Sequence, residues 1–204
     1  MREMKPPETD HDLFERLRAG QEQAFVALYQ RRQPSLYRFA LQMSGSAHVA
    51  EDVTQEVFLA LLRGECGYDP ERGSLVAYLF GIARKLLLRQ FERRRADAPM
   101  EAADEGRLAE PADASDPLQE LTARERIEAL RRAVTSLPRR YREVVVLCDL
   151  EEVDYAEAAV ALGCPIGTVR SRLHRARMLL AGKLREERRG GAAIPAWKAA
   201  RCEI

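Results

Sequence analysis

Apolar residues recur three and four positions apart along most of the chain, and no stretch alternates apolar and polar residues as a β-strand would. This pattern predicts helices over Leu13–Leu17, Ala24–Met43, Ala47–Leu62 and Ser74–Arg95 in the first half of the chain. Pro34 lies inside the second of these helices, where proline is expected to break or bend the backbone.

The same periodicity returns after a stretch that is poor in large apolar residues. It predicts helices from Asp116 or Leu121 to Thr135, from Arg139 to about Leu150, over Tyr155–Leu162, and from Pro165 to Leu184 or beyond. We therefore expect an all-α protein with two helical domains joined by an acidic flexible linker. An N-terminal helical bundle is assigned to residues 10–95, the linker to 96–120, a C-terminal helix-turn-helix domain to 121–188 and a flexible tail to 189–204.

The 204 residues carry a net charge of only +1, which on its own argues against a strongly basic nucleic-acid-binding protein. The charges are segregated along the chain, however, with net charges of +3 over residues 12–95, −7 over 96–123 and +5 over 124–189. Two basic segments therefore flank an acidic connector that is too poor in apolar residues to form its own core. The connector is either a solvated spacer or a strand that lies in a basic channel of a partner.

Several classes of protein are excluded by composition. No run reaches the roughly 18 apolar residues that span a bilayer, and the N-terminus lacks the apolar segment of a secretion signal. We therefore expect a cytoplasmic protein without membrane insertion. The four cysteines and three histidines show no metal-binding spacing, so no metal or other cofactor is predicted. Free thiols are expected, and a redox- or metal-sensing role for Cys202 is the alternative.

Residues Tyr155–His174 read YAEAAVALGCPIGTVRSRLH, a pattern typical of the helix-turn-helix arrangement. Ala159 is small enough for two helices to cross closely, and Gly163 suits the left-handed backbone of a tight turn. Val169 and Leu173 are expected to face inward and to hold the second helix on the first.

The outward face of that second helix is polar and basic, as a helix in the DNA major groove requires. Arginine can pair with a guanine edge through two hydrogen bonds, while serine and threonine can reach phosphates or bases. The predicted DNA-contacting residues are Gly167, Thr168, Arg170, Ser171, Arg172, His174 and Arg175. The alternative is an ordinary helical hairpin with a solvated basic face.

The long helix that begins at Ser74 ends in a run of arginines, which alone would indicate only a solvated face. Together with a helix-turn-helix in the same chain, the run favours nucleic-acid binding. Aromatic residues beside a basic helix can stack on unpaired bases, although packing in the core is at least as plausible for Phe80. The candidate residues on this helix are Tyr78, Phe80, Arg84, Lys85 and Arg89.

The helix over Ala47–Leu62 carries an acidic face formed by Glu51, Asp52, Gln55 and Glu56. Such a face would repel DNA phosphates, so it indicates either a protein partner with a basic surface or a plain solvated face.

Taken together, these segments resemble bacterial RNA polymerase sigma factors of the extracytoplasmic-function (ECF) type, over roughly residues 10–188. The segment AEDVTQEVFLALL (residues 50–62) is similar to the family's core-polymerase-binding helix. The segment SLVAYLFGIARKLLLRQFERRR (residues 74–95) is similar to its promoter-melting and −10-recognition helix. Residues 137–180 are similar to its −35-binding domain.

The resemblance implies a two-domain initiation factor that performs no covalent chemistry. Its partners would be the RNA polymerase core, through the clamp helices and the flap, together with promoter DNA and an anti-sigma factor. The clamp helices would contact Asp52, Gln55, Glu56, Phe58 and Leu59. The loop over Arg63–Gly73 and the helix after it would hold unpaired −10 bases, the second helix of the helix-turn-helix would read the −35 element, and the acidic linker would thread through the polymerase.

Three positions depart from the family's usual pattern: Tyr78 stands where tryptophan is common, Lys85 where asparagine is frequent and Arg89 where aspartate is frequent. The alternatives are a stand-alone helix-turn-helix regulator that binds duplex DNA without polymerase, and a degenerate protein-interaction module that titrates a regulator.

Overall fold

The computed structural model describes residues 8–63, 67–97 and 127–190. Within these ranges the regular elements are helical, which confirms the all-α prediction. The predictions for most of the linker and most of the tail, and those for Cys66 and Cys202, lie outside the described residues.

The N-terminal unit consists of α1 (Asp10–Arg18), α2 (Glu22–Ser44), α3 (Ala47–Leu62) and α4 (Leu75–Asp97). The helix α2 continues through Pro34, so the predicted break does not occur. Proline removes one backbone N–H from the helical ladder, and the buried residues on both sides of it hold the helix together.

The ends of these helices are fixed by side chains close to them in sequence. The hydroxyl of Thr9 and the carboxylate of Asp12 form a reciprocal capping box at the start of α1. Ser46 and Ser74 each accept a hydrogen bond from the backbone N–H three residues further on, as expected for the N-caps of α3 and α4. These hydrogen bonds satisfy N–H groups that have no partner inside the helix.

The core of the N-terminal unit lies between α2, α3 and α4. Its largest fully buried side chains include Leu28, Phe39, Val57 and Leu79. Each such side chain contributes about 1.5–3 kcal/mol when it leaves water, so the apolar faces recognised in the sequence account for most of the packing.

The C-terminal unit consists of α5 (127–135), α6 (Arg139–Val145), α7 (Tyr155–Leu162) and α8 (Ile166–Gly190). The sequence predicts a single helix from Arg139 to about Leu150, but its last turn, Val146–Leu150, is a π-helix. Hydrophobic periodicity does not distinguish an α-helical from a π-helical turn, so the sequence pattern does not predict the π-helix.

The two units pack against each other through α4 and α7, and their buried residues form a continuous apolar cluster. Gly81 of α4 lies directly against α7, where an added Cβ would be 3.7 Å from the carbonyl oxygen of Ala161. No pattern in the sequence predicts this contact. Among the described residues, no helix is both long and apolar enough to cross a membrane.

Candidate nucleic-acid and protein interfaces

The turn between α7 and α8 has the geometry that the sequence pattern predicts. Gly163 adopts a left-handed conformation, with φ of 61°, and caps the end of α7. At the start of α8 the carbonyl oxygen of Pro165 accepts a hydrogen bond from the backbone N–H of Thr168, with an N···O distance of 2.8 Å. Val169 and Leu173 are buried, so the orientation of α8 is set by packing.

The predicted DNA-contacting residues of α8 lie on its outward side. Thr168 and Arg172 are half-buried at the edges of this surface. The exposed members are Gly167, Arg170, Ser171, His174 and Arg175. We call these seven residues the recognition face, which is basic, accessible to solvent and spread over the first three turns of the helix.

Two arginines on α8 contact other parts of the C-terminal unit. The guanidinium group of Arg175 lies close to the hydroxyl of Tyr141 on α6 and lowers the pKa of Tyr141, with a further contribution from the charge of Arg140. Arg177 donates two hydrogen bonds to Asp149, of 3.0 and 2.5 Å. Tyr141 therefore lies beside a recognition-face residue, whereas the charge of Arg177 is largely balanced by Asp149.

The residues predicted to contact the −10 element do not share one surface. Phe80 is only 2% exposed and packs edge-on against Phe39, with ring centroids 5.3 Å apart. This placement favours the core-packing alternative for Phe80. Tyr78 is half-buried, and its ring lies 5.6 Å from that of Tyr68.

The basic members of the set are also separated. Lys85 and Arg89 are exposed, but Arg89 lines a groove between α3 and α4. Arg84 is half-buried, and its Nε lies 3.2 Å from Oε1 of Glu143, a buried residue of α6. Arg84 is thus paired with the C-terminal unit in this structure.

The loop before α4 is held by an aromatic cluster that no pattern in the sequence indicates. The ring of Tyr68 packs edge-on against Phe14 at 5.0 Å, and it also contacts Tyr78 and His11. Burial raises the pKa of the Tyr68 hydroxyl, and the nearby carboxylates of Asp10, Glu15 and Asp69 add to the shift. The loop is therefore anchored to both α1 and α4.

The acidic face of α3 is accessible, as predicted. Asp52 and Gln55 are exposed and line the groove between α3 and α4 together with Glu56 and Leu59. The groove has a volume of about 650 Å³. Phe58 differs from the rest of its predicted set because it is buried beneath this surface.

An apolar patch adjoins this acidic face. It consists of Val26 and Tyr29 on α2 together with Leu59 and Leu62 on α3, all of them large and exposed. Phe58 supports the patch from below, with its ring centroid 4.7 Å from that of Tyr29. Only Leu59 was among the predicted residues, because the others read as ordinary members of an amphipathic helix.

Within the described ranges, no group of three or more histidine, cysteine, aspartate or glutamate side chains is placed to hold a metal ion.

Two protein-family models match the chain in the order that the two units follow. The model for Sigma-70 region 2 matches residues 28–96, and the model for Sigma-70 region 4 matches residues 127–180. The first match covers most of α2, α3 and α4, and the second covers α5 to the middle of α8.

Several curated proteins are similar over both units. The chain is 37% identical to the ECF RNA polymerase sigma factor EcfG of Rhodopseudomonas palustris, over 74% of this chain and 80% of that protein. It is 31% identical to the ECF RNA polymerase sigma-E factor of Escherichia coli, over 86% of this chain and 94% of that protein.

The chain belongs to the ECF RNA polymerase sigma factors.

A further relative is SigE of Mycolicibacterium smegmatis, which is 40% identical over 71% of this sigma factor, although the match spans only 55% of the relative. Among solved structures, CnrH in complex with the cytosolic domain of CnrY is 25% identical, with a TM-score of 0.65 over 87% of this chain and 97% of CnrH. RpoE in complex with the anti-sigma factor NepR from Bartonella quintana is also 25% identical, with a TM-score of 0.62 over 79% of this chain and 96% of that chain. These findings confirm the family that the sequence motifs indicated.

Proposed function

We propose that this sigma factor binds the RNA polymerase core in the cytoplasm and directs it to promoters that carry a −10 and a −35 element, without covalent chemistry of its own. The observation that carries the proposal is the presence, in family order, of a region 2 unit with an acidic helix and a region 4 unit with an exposed recognition face.

The −35 element would be read by the recognition face on α8. Arg170 and Arg175 are exposed in the second and third turns of α8, where a side chain can reach base edges in the major groove. Each arginine can donate two hydrogen bonds to one guanine, and Ser171 can reach a phosphate. The buried side of α8 would keep these side chains in register with the bases.

The −10 element would be held by α4 and the loop anchored by Tyr68. Tyr78 is the accessible aromatic residue of the predicted set and is suited to stacking on an unpaired base. Lys85 lies exposed two turns further along α4, where it can attract the phosphate backbone.

The polymerase core would bind the acidic face of α3 and the apolar patch beside it. Asp52 and Gln55 would face a basic surface of the clamp helices, while Leu59 and Leu62 would supply apolar contact area. On the C-terminal unit, the exposed apolar side chains of Met178 and Leu179 are candidates for contact with the flap.

An anti-sigma factor is a further proposed partner. CnrH was solved with CnrY, and RpoE of Bartonella quintana with the anti-sigma factor NepR, and both sigma factors resemble this chain along most of its length.

Transcription and gel-shift experiments with and without the core enzyme test the proposal. We expect promoter-specific run-off transcripts from a promoter library only when this chain and the core are both present, and weak binding of duplex DNA by the chain alone. Tight, sequence-specific binding of duplex DNA without core, and no transcripts with it, would instead identify a stand-alone regulator. Changing Arg170 and Arg175 together to alanine should remove selectivity for the −35 element and leave selectivity for the −10 element.

A further inference from the structure

We propose that α1 helps to read the −10 element by positioning the loop before α4 (residues 67–74), and that Asp10 is the positioning residue that fixes α1 against α2. The inference rests on the proposed role of this loop and of Tyr78 in holding unpaired −10 bases. It gives a function to a helix that precedes residues 28–96, the part of the chain that the region 2 model matches.

The first step in the argument is the attachment of Tyr68 to α1. The ring of Phe14 is perpendicular to that of Tyr68, with ring centroids 5.0 Å apart, and the ring of His11 lies 6.3 Å from Tyr68. Residues three positions apart share one side of a helix, so His11 and Phe14 form a single aromatic edge on α1. Phe14 is buried and Tyr68 is half-buried, so α1 supports the ring from the core and leaves part of it accessible.

The second step connects Tyr68 to the residue proposed to stack on a base. The rings of Tyr68 and Tyr78 have their centroids 5.6 Å apart. Tyr78 itself is fixed in the first turn of α4, where its N–H donates to the carbonyl oxygen of Ser74 at 3.1 Å. Because the two rings are in contact, a displacement of Tyr68 changes the surface that Tyr78 offers to an unpaired base.

The third step is the attachment of α1 to α2 through Asp10. Nη1 of Arg31 donates to Oδ1 of Asp10 at 2.8 Å, and Nε of Arg32 donates to Oδ2 at 2.5 Å. The side chain of Asp10 is only 9% exposed. A carboxylate that is this deeply buried between two guanidinium groups holds them together, and removing its charge leaves both without a counter-charge.

Asp10 and Phe14 are close enough along α1 for one to control the other. They lie four positions apart, which is about one helical turn, so a shift of the helix at Asp10 also moves the ring of Phe14. The carboxylate also acts on Tyr68 directly, because burial and then the charge of Asp10 raise the pKa of the Tyr68 hydroxyl. The contacts from α2 through α1 to the loop and α4 are therefore continuous.

The substitution Asp10→Asn in the full-length chain tests this arrangement, because asparagine keeps the size of the side chain and removes its charge. In the free chain, we expect the backbone amides of the loop to exchange hydrogen about tenfold faster. With core polymerase and a randomised promoter library, we expect a weaker base preference in the −10 element and an unchanged preference in the −35 element. Loss of a negative charge alone would strengthen the attraction of phosphates, so it does not account for a weaker −10 preference.

Two further variants separate positioning from charge. Glu15→Gln makes the same chemical change on α1 at a carboxylate that also acts on Tyr68, but its ion pair with Arg18 is exposed. It should leave loop exchange and −10 preference unchanged. Phe14→Leu leaves the ion pairs of Asp10 intact and removes the ring that supports Tyr68, so it should reproduce both effects of Asp10→Asn. Circular dichroism verifies that each variant remains folded.

The proposal is overturned if Asp10→Asn speeds loop exchange without weakening the −10 preference, or if it changes neither. Equal effects of Glu15→Gln and Asp10→Asn would also overturn it, because charge and not position would then be the cause. Failure of the wild-type chain to give promoter-specific transcripts with core would contradict the proposed function instead, and the exchange measurement on the free chain does not depend on it.

Discussion

The two basic helices assigned to DNA differ in how much of their polar surface is accessible. On α8 the recognition face is exposed, and Val169 and Leu173 fix the opposite side in the core of its own unit. On α4, Phe80 is buried and Arg84 is paired with Glu143 of the other unit. A helix that reads duplex DNA needs one side packed on its own domain and one side open to solvent. The helix α4 is packed on two sides, so the accessibility of its polar surface depends on how the two units are arranged.

The largest expected effect tests whether Phe80 belongs to the core. Phe80→Ala should lower the free energy of unfolding by about 3–5 kcal/mol, because it leaves a cavity beside Phe39. Chemical denaturation followed by circular dichroism measures this change. Phe80→Leu is the matched control, and it should keep −10 recognition at a cost below about 1.5 kcal/mol. Loss of −10 recognition in a fully stable Phe80→Leu protein would show that the ring contacts DNA.

A smaller change in free energy is expected for promoter binding by α8. Arg170→Ala should weaken promoter binding by the polymerase complex by about 1–3 kcal/mol, if the side chain pairs with a base as proposed, and should relax −35 specificity. Arg185→Ala, further along α8 and beyond the region 4 match, is the control and should have little effect on specificity. Identical losses for the two variants would indicate general attraction to phosphates.

A substitution at Tyr141 tests whether this residue orients Arg175 of the recognition face. Tyr141→Phe removes the hydroxyl that lies close to Arg175 and, if that hydroxyl orients the guanidinium group, should weaken promoter binding by about 0.5–1.5 kcal/mol. Tyr37→Phe, on a half-buried tyrosine of α2, is the control and should not change binding. Unchanged binding by Tyr141→Phe would mean that Arg175 is oriented by the DNA alone.

The last prediction concerns the reactivity of Cys148, which lies in the π-helical turn just before Glu151. Burial raises the pKa of this thiol to about 11, and Asp149 adds to the shift. Because the thiolate is the reactive form, alkylation by iodoacetamide at pH 8 should be roughly a hundredfold slower than for a thiol with the ordinary value of 9. Mass spectrometry can follow the reaction, with the chain in denaturant as the control. Equal rates in the folded and the denatured chain would contradict tight packing of this turn.

Much of the fold follows from local sequence signals. The turn at Gly163, the caps at Ser46 and Ser74 and the inward positions of Val169 and Leu173 each depend on residues within one or two helical turns. The exposed side of α8 was predicted for the same reason, because helical periodicity separates its apolar residues from its polar ones.

The features that could not be predicted from the sequence depend on contacts between residues far apart in the chain. Arg84 pairs with Glu143, 59 residues away, and Arg38 donates hydrogen bonds to Glu151, 113 residues away, so no spacing pattern connects either pair. The burial of Phe80 is decided by Phe39 on another helix, and the anchoring of Tyr68 by Phe14 on α1. Periodicity along a single helix does not show which neighbour covers which face.

The division of promoter recognition between the two units is tested most directly by sequencing transcripts from a randomised promoter library. Wild-type protein, Arg170→Ala and Tyr78→Ala would each be combined with the core polymerase. We expect Arg170→Ala to show a weaker sequence preference in the −35 element and an unchanged preference in the −10 element, and Tyr78→Ala to show the reverse. If both variants keep both preferences, or if each loses the element assigned to the other helix, the assignment of α8 and α4 is wrong.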